Sequence, residues 1–505
     1  MTSLSRNILA NLLGGAWVAA LTLTIIPLQI NLLGMEAYGV IAFFMTLQAV
    51  VGVLELGISS TITREIASDH SPGRQASADL LRTATTVCWA LALLVGSLVA
   101  GFAEPMARFW FKADSIHVTE LIDSLRILSV YFALRWPVAL YSGVLAGAQR
   151  LDAINVVKVG TTSLRLLGGI GVLLLSRRLD SFLGWIAFTA VVEVLAYMFA
   201  CWSVLKMSGA RHGFSLPALR AVWGFSLSMS ALAALGALVT QLDRFLASKV
   251  LPLQDFGYYA LAHTVGMAMS LIVAAFCSAL MPSFAANQAA GDRDLLAKNY
   301  NAVSLLLVFI TGAVFFSLLF FGHALVAVWI GAEAAAGAWA SLPMLATGYW
   351  LSAATSPAST LSVACRRPEL PLKVIVASAV LYAPAAYVMI VLWGVEGAAI
   401  AWLSLQAGHF CILVPLVHRQ FLPIPFGRWL RISLLPFLLL GVGAFGAAKL
   451  IVILTAASRP SFQLLAAAAA VVVYGISGLY LLDSEMRTFL VGLVRRLARV
   501  RQATE

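Results

Sequence analysis

Runs of about 20 residues with few or no charges recur from one end of this sequence to the other, and each is long enough to cross a bilayer as a helix. In hydrocarbon every backbone N–H and C=O must be paired within the spanning structure, so such runs fold as helices. Composition agrees. Of 505 residues 61% are hydrophobic and only 11% charged, about half the charge of an average soluble domain. About fourteen spans are expected: 8–33, 38–62, 82–103, 120–146, 153–176, 182–206, 221–249, 257–283, 301–322, 339–364, 371–393, 396–418, 429–452 and 462–482. No stretch between them is long and polar enough to fold as a soluble domain. The first run is too long for a signal-peptide core and leads directly into the next, so cleavage is not expected.

The formal net charge is +11, and the placing of the cations says more than their sum. With the N-terminus in the cytoplasm, most of the 33 Lys and Arg fall in cytoplasmic segments, which puts both ends inside. Arg177 and Arg178 in an outer loop are the main exceptions. Topology therefore explains the basic balance, and a nucleic-acid partner is not expected. The tail MRTFLVGLVRRLARVRQ (486–502) is expected to lie on anionic headgroups as an amphipathic helix. Phe109, Trp110 and Phe111 are expected in an outer interfacial belt. The five cysteines stand singly without metal spacing, and they are expected to be small buried apolar residues.

The chain repeats itself. NLLGMEAYGVIA after the first span has a counterpart in VLPLQDFGYYALA about 218 residues later. A polar or small stripe in span 1 (Asn7, Asn11, Gly14, Val18, Thr22, Ile25, Gln29) maps, at +219, onto Ser226, Ser230, Ala233, Ala237, Gln241, Arg244 and Ser248. Steps of three and four follow one helix face, so both copies turn a polar stripe inward. ARFWFKAD (107–114) matches VAVWIGAE (326–333), and LAGAQRLDAINVVK (145–158) matches SVACRRPELPLK (362–373). Each copy holds six helices, an even number, so the repeats are parallel and related by an axis along the membrane normal. The expected lobes are 1–218 and 219–427, with two extra helices and a basic tail in 428–505.

The pattern LLGMEAYGVIAFF…LELGISSTITREIA, repeated as QLDRFLASKVLPLQDFGYYALA, resembles the polysaccharide-transporter branch of the multidrug/oligosaccharidyl-lipid/polysaccharide exporter superfamily. The resemblance covers essentially the whole chain. It implies an all-α polytopic protein of about fourteen transmembrane helices, with two six-helix lobes around a central cavity plus two C-terminal helices. It also implies a flippase of the cytoplasmic membrane that moves a polyprenyl-pyrophosphate-linked oligosaccharide from the inner to the outer leaflet, with coupling to an ion gradient. Membrane lipids, a polysaccharide polymerase and a chain-length regulator are the further candidate partners. Two extra C-terminal helices also occur in lipid II flippases, which keeps that substrate open.

A diphosphate crossing hydrocarbon calls for fixed cations, and Arg suits oxyanions through its planar fork and permanent charge. Arg135 lies near the middle of span 4 on a face with Tyr131, Ser142 and Gln149. Arg165 is mid-span 5 on a stripe with Asn155, Lys158 and Thr162. Arg244 lies on the inward stripe of span 7. With Gln241, Asn11 and Gln29 these are the expected lumen residues. Arg126 is half a turn out of phase with Arg135, and Asp123 can neutralise it. Glu55, Glu193 and Asp243 are candidates for carrying a coupled ion, because intramembrane carboxylates can bind protons or sodium. The competing reading is that each neutralises a neighbouring Arg. For Asp243 a structural pair is favoured, with Arg244 facing the lumen about 100° around the helix. His263, His323 and His409 are isolated and expected to be packed or interfacial. No metal site, cofactor, phosphate loop or catalytic nucleophile is expected.

Two other functions fit a chain of this kind. A multidrug or small-solute antiporter would use the same scaffold, with apolar walls and one or two acids. A membrane glycosyltransferase or polymerase would need a larger extramembrane domain than these short loops supply.

Overall fold

The computed structural model describes residues 3–53, 59, 62–63, 66–67, 75–205, 235–236, 238–456 and 459–482. The described chain is helical throughout, apart from turns and an isolated bridge between Lys112 and Pro252. The helices are α1 (Ser3–Leu33), α2 (Met35–Val53), α3 (Gln75–Phe109), α4 (Val118–Gly147), α5 (Leu151–Ser176), α6 (Leu179–Leu205) and α7 (238–250). There follow α8 (Leu253–Ala290), α9 (Arg293–Trp329), the short α10 (Ala332–Trp339), α11 (Leu342–Ala364) and α12 (Glu369–Phe421). Next come α13 (Phe426–Trp429), which continues into a π turn, α14 (Leu435–Leu454) and α15 (Pro460–Leu481). α12 breaks at Gly394, where φ is +60° and ψ −132°. A side chain is strained there, and the break separates the two spans expected at 371–393 and 396–418. Among the described residues ten helices are long and apolar enough to cross a membrane, so this is a multi-pass membrane protein.

The duplication is visible in where helices begin. Met35 and Leu253, Gln75 and Arg293, and Leu151 and Glu369 open corresponding helices, each pair 218 residues apart. It is visible again in a reciprocal contact. A Cβ on Gly39 would lie 2.6 Å from the carbonyl oxygen of Leu253, and a Cβ on Gly257 would lie 2.6 Å from that of Met35. Both partners on each side are 218 positions apart, the exchange of contacts that a two-fold relation requires. Glycine at both points lets the N-terminal turns of α2 and α8 touch backbone to backbone.

Contacts divide the chain into two compact units, Met1–Gly257 and Tyr258–Glu505. The start of the second repeat therefore packs with the first unit. On α7, Phe245 meets Trp110 with ring centroids 4.7 Å apart and Phe43 at 6.3 Å. Trp110 Nε1 donates to Ser248 Oγ at 3.1 Å, and Lys112 Nζ to the Val250 carbonyl at 2.6 Å. Of the three aromatics expected in an outer belt, Phe109 is exposed, Trp110 is half-buried against α7 and Phe111 is buried.

In the first unit α4 is the central helix, with Tyr141, Val144 and Leu145 packed against Cys88 of α3 and Val194, Tyr197 and Cys201 of α6. In the second unit α9 takes that place. Phe309 stacks on Tyr474 of α15, and Phe316 on Phe445 of α14, with centroids 5.4 and 5.8 Å apart. The two helices outside the duplication are therefore docked on α9 by aromatic side chains. Cys88 and Cys201 are buried as expected, whereas Cys277 and Cys365 are half-buried and Cys411 is exposed.

Candidate functional site

Three helices of the first unit bring one carboxylate and two guanidinium groups together. Glu193 of α6 is buried, its side chain 9% exposed, and it bonds the Arg165 guanidinium of α5 through Oε2. Its other oxygen, Oε1, lies 3.6 Å from Arg135 Nη1 of α4. Arg165 Nε donates to Thr189 Oγ1 at 3.3 Å and Nη1 to the Tyr131 hydroxyl at 3.5 Å. Both guanidinium groups also lie over the Tyr131 ring, 5.4 Å from its centroid for Arg165 and 5.9 Å for Arg135. Such contacts are attractive because the ring face is negative. Tyr131 itself is fixed by an edge-on contact with Phe44 of α2 at 4.8 Å.

Local sequence explains the arrangement. Tyr131 and Arg135 are four apart, as are Thr189 and Glu193, so each pair shares a helix face. Close approach of α5 and α6 depends on Gly168, whose missing Cβ leaves room for the Trp185 ring. Trp185 Nε1 in turn donates to the Arg165 carbonyl at 3.2 Å, which holds the turn that carries the guanidinium.

Chemically the cluster is a fixed cationic surface. A guanidinium carries five N–H donors. Arg165 spends three of its contacts on Glu193, Thr189 and Tyr131, and the side chains of Arg165 and Arg135 remain 19% and 26% exposed. Arg165 thus keeps N–H donors beyond these three contacts for an outside oxyanion.

The remaining candidates are dispersed. Gln29 is buried at 6% exposure in α1. Asp243 is fully buried in α7, and Arg244 is half-buried one step around the helix with its Nε out of water and not hydrogen-bonded. Gln241 Oε1 is similarly buried without a hydrogen bond. Ser248, from the same stripe, is packed under Trp110. Arg126 pairs with Asp123 at 3.7 Å in an exposed position. Glu55, the side chain of Asn11 and the basic tail 486–502 lie outside the described residues. His263 is buried with both ring nitrogens 3.0 Å from tyrosine hydroxyls, those of Tyr349 and Tyr259.

Sequence reasoning passed over Glu36. It opens α2 and accepts hydrogen bonds from the backbone N–H of Asp114, Ser115 and Ile116, and from the Ser115 hydroxyl, at 2.6–3.1 Å. One carboxylate thereby ties down residues 114–116 of the α3–α4 turn. The available signal was an acid in the first turn of an otherwise apolar helix.

Residues 4–288 match the family model described as polysaccharide biosynthesis protein. The chain belongs to this family. A candidate O-antigen transporter from Shigella flexneri is 21% identical over 403 residues, covering 79% of this chain and 94% of that protein. Among solved structures, the lipid II flippase MurJ in an inward closed conformation superposes with a TM-score of 0.71 at 15% identity, covering 93% of this chain and 97% of that one. An inward-facing multidrug transporter of the MATE family gives 0.64 at 14% identity, covering 78% and 92%. The polysaccharide biosynthesis family member described here therefore has the fold shared by those transporters, and its relatives are transporters and flippases rather than enzymes.

Proposed function

We propose that this chain flips a polyprenyl-pyrophosphate-linked oligosaccharide from the inner to the outer leaflet of the cytoplasmic membrane, with both termini cytoplasmic. The Arg165 guanidinium carries the reading: it is anchored on three sides yet keeps free N–H donors on an exposed edge. Arg135, beside it, supplies a second cation. Two adjacent forks suit the paired phosphates of a polyprenyl diphosphate better than they suit a cationic drug. The family and the Shigella relative support a lipid-linked glycan as the cargo. Membrane lipids are the surroundings, and a polymerase and a chain-length regulator are the partners such a product requires.

Glu193 holds the two arginines rather than carrying an ion, since binding a cation there would break its contacts with both. Coupling to an ion gradient is assigned to another acid, with Glu55 and Asp243 as the candidates. The six-helix lobes 1–218 and 219–427 remain our division of the chain by ancestry.

Replacing Arg165 with Ala should abolish surface polysaccharide while the protein stays in the membrane at normal level. Lys should rescue in part, since it restores charge but not the two-pronged contact. Normal polysaccharide with Arg165→Ala and Arg135→Ala proteins removes both residues from the site and the reading with them.

A further inference from the structure

The second unit holds no counterpart of the arginine cluster at the corresponding helix. Pro137 of α4 and Pro357 of α11 are 220 positions apart, and by that offset Thr355 stands where the first repeat has Arg135. Around it α11 carries hydroxyls instead of charges: Ser352, Thr355, Ser356, Ser359 and Thr360.

These hydroxyls face two adjoining cavities. One, of about 250 Å³, lies between α8 and α11, with Ser270 and Tyr349 in its wall. The other, about 150 Å³, lies between α11 and α12, with Gln406 and His409 in its wall. Ser352, Ser356 and Ser359 line both. Among the described residues no Asp, Glu, Lys or Arg borders either cavity.

Gln406 is 7% exposed and lines the smaller cavity, and among the described residues it has no hydrogen-bond partner. His409 Nε2, in the same wall, is buried and also lacks a hydrogen-bond partner. Buried polar groups are nearly always bonded, and leaving one unmade is costly. The buried, unbonded His409 nitrogen beside the Gln406 amide marks a place where a ligand completes the bonding. The hydroxyls add to this. Thr355, Ser356 and Thr360 donate to the carbonyls of Leu351, Ser352 and Ser356 at 2.8–3.0 Å, so their oxygens present lone pairs to the cavity. The wall thus offers donors and acceptors in a neutral setting. A phosphate would need a cation and a cationic drug an acid, and this wall has neither.

We infer that the cavities between α8, α11 and α12 bind a neutral sugar ring of the transported glycan, with Gln406 and the α11 hydroxyls as its hydrogen-bond partners. This rests on the flippase reading above. It divides recognition by chemistry: the diphosphate falls to the arginines of the first unit, the sugar to the hydroxyls of the second.

The test uses the purified full-length chain and two probes, polyprenyl diphosphate and polyprenyl diphosphate carrying one N-acetylhexosamine. The wild-type chain should bind the glycosylated probe at least about tenfold more tightly. Gln406→Leu, and separately the milder Ser359→Ala, should each weaken that binding by about fivefold to tenfold, the worth of one hydrogen bond. Binding of the bare diphosphate should not change. Arg165→Ala should weaken both probes alike. Equal wild-type affinity for the two probes overturns the sugar site, as does an equal loss for both in Gln406→Leu together with no loss in Ser359→Ala. Failure of the wild-type chain to bind bare polyprenyl diphosphate instead sinks the flippase reading, and the sugar site falls with it.

Discussion

Replacing Glu193 with Gln keeps the shape of the side chain and one acceptor oxygen but removes the charge that two guanidinium groups share. Breaking a buried ion pair by removing one partner costs about 3–5 kcal/mol, because the other charge is left uncompensated. Two features of the cluster reduce this. Both arginines are partly exposed, and the Tyr131 ring under them offsets roughly 0.5–2 kcal/mol. A loss of about 2–3 kcal/mol remains. For a chain above 250 residues each kcal/mol moves Tm by about 2 °C, so melting in detergent should fall by about 4–6 °C. Flipping in proteoliposomes should weaken in proportion to the surviving folded protein, with its dependence on a proton or sodium gradient unchanged. The double variant Arg165→Met with Glu193→Gln removes one charge of each sign and should melt within about 2 °C of wild type, yet fail to transport. A Glu193→Gln protein of normal Tm that has lost gradient-driven flipping refutes this reasoning and makes Glu193 the ion carrier.

Two further outcomes are expected. Gly39→Ala and Gly257→Ala should each push the N-terminal turns of α2 and α8 apart, since the new methyl would sit 2.6 Å from a carbonyl oxygen; overpacking of this kind costs about 1–3 kcal/mol. Equal Tm drops in the two variants would fit the reciprocal contact, and wild-type Tm in both would refute it. Reporter fusions after residue 290, and after residue 336 in the α9–α11 connection, should report inside and outside the membrane respectively. The reverse pair refutes cytoplasmic termini.

Much of the chain could be read directly. Hydropathy placed the spans because a helix in lipid must be long, uncharged and self-bonded, whatever surrounds it. The repeat was equally plain, since NLLGMEAYG and VLPLQDFGY keep their spacing and share the glycine at Gly39 and Gly257, and the structure uses both in a pair of reciprocal contacts. The sequence also showed that Arg135, Arg165 and Glu193 lie deep in three helices. It did not show that a single carboxylate joins the two arginines. That depends on the rotation of α4, α5 and α6 about their own axes, and the rotation is set by Tyr131, Trp185 and the gap at Gly168. The polar stripe of span 7 showed the same limit. A period of 3.6 finds a face but not its neighbour, so Ser248 is packed under Trp110 while Arg244 lies half-buried one step away.

The α11 hydroxyls went unread for a related reason. In a membrane helix a row of Ser and Thr is also what close helix packing selects, and only the cavities beside it show that part of this row is unpacked. Glu36 is the sharpest instance. An acid in the first turn of a helix is ordinary in any sequence, and its role depends on a turn some 80 residues away folding over it. Transfer from water to lipid acts on each segment alone and is written in its composition. Which side chains then meet is decided between segments, by sterics and hydrogen bonds that exist only after the helices have packed.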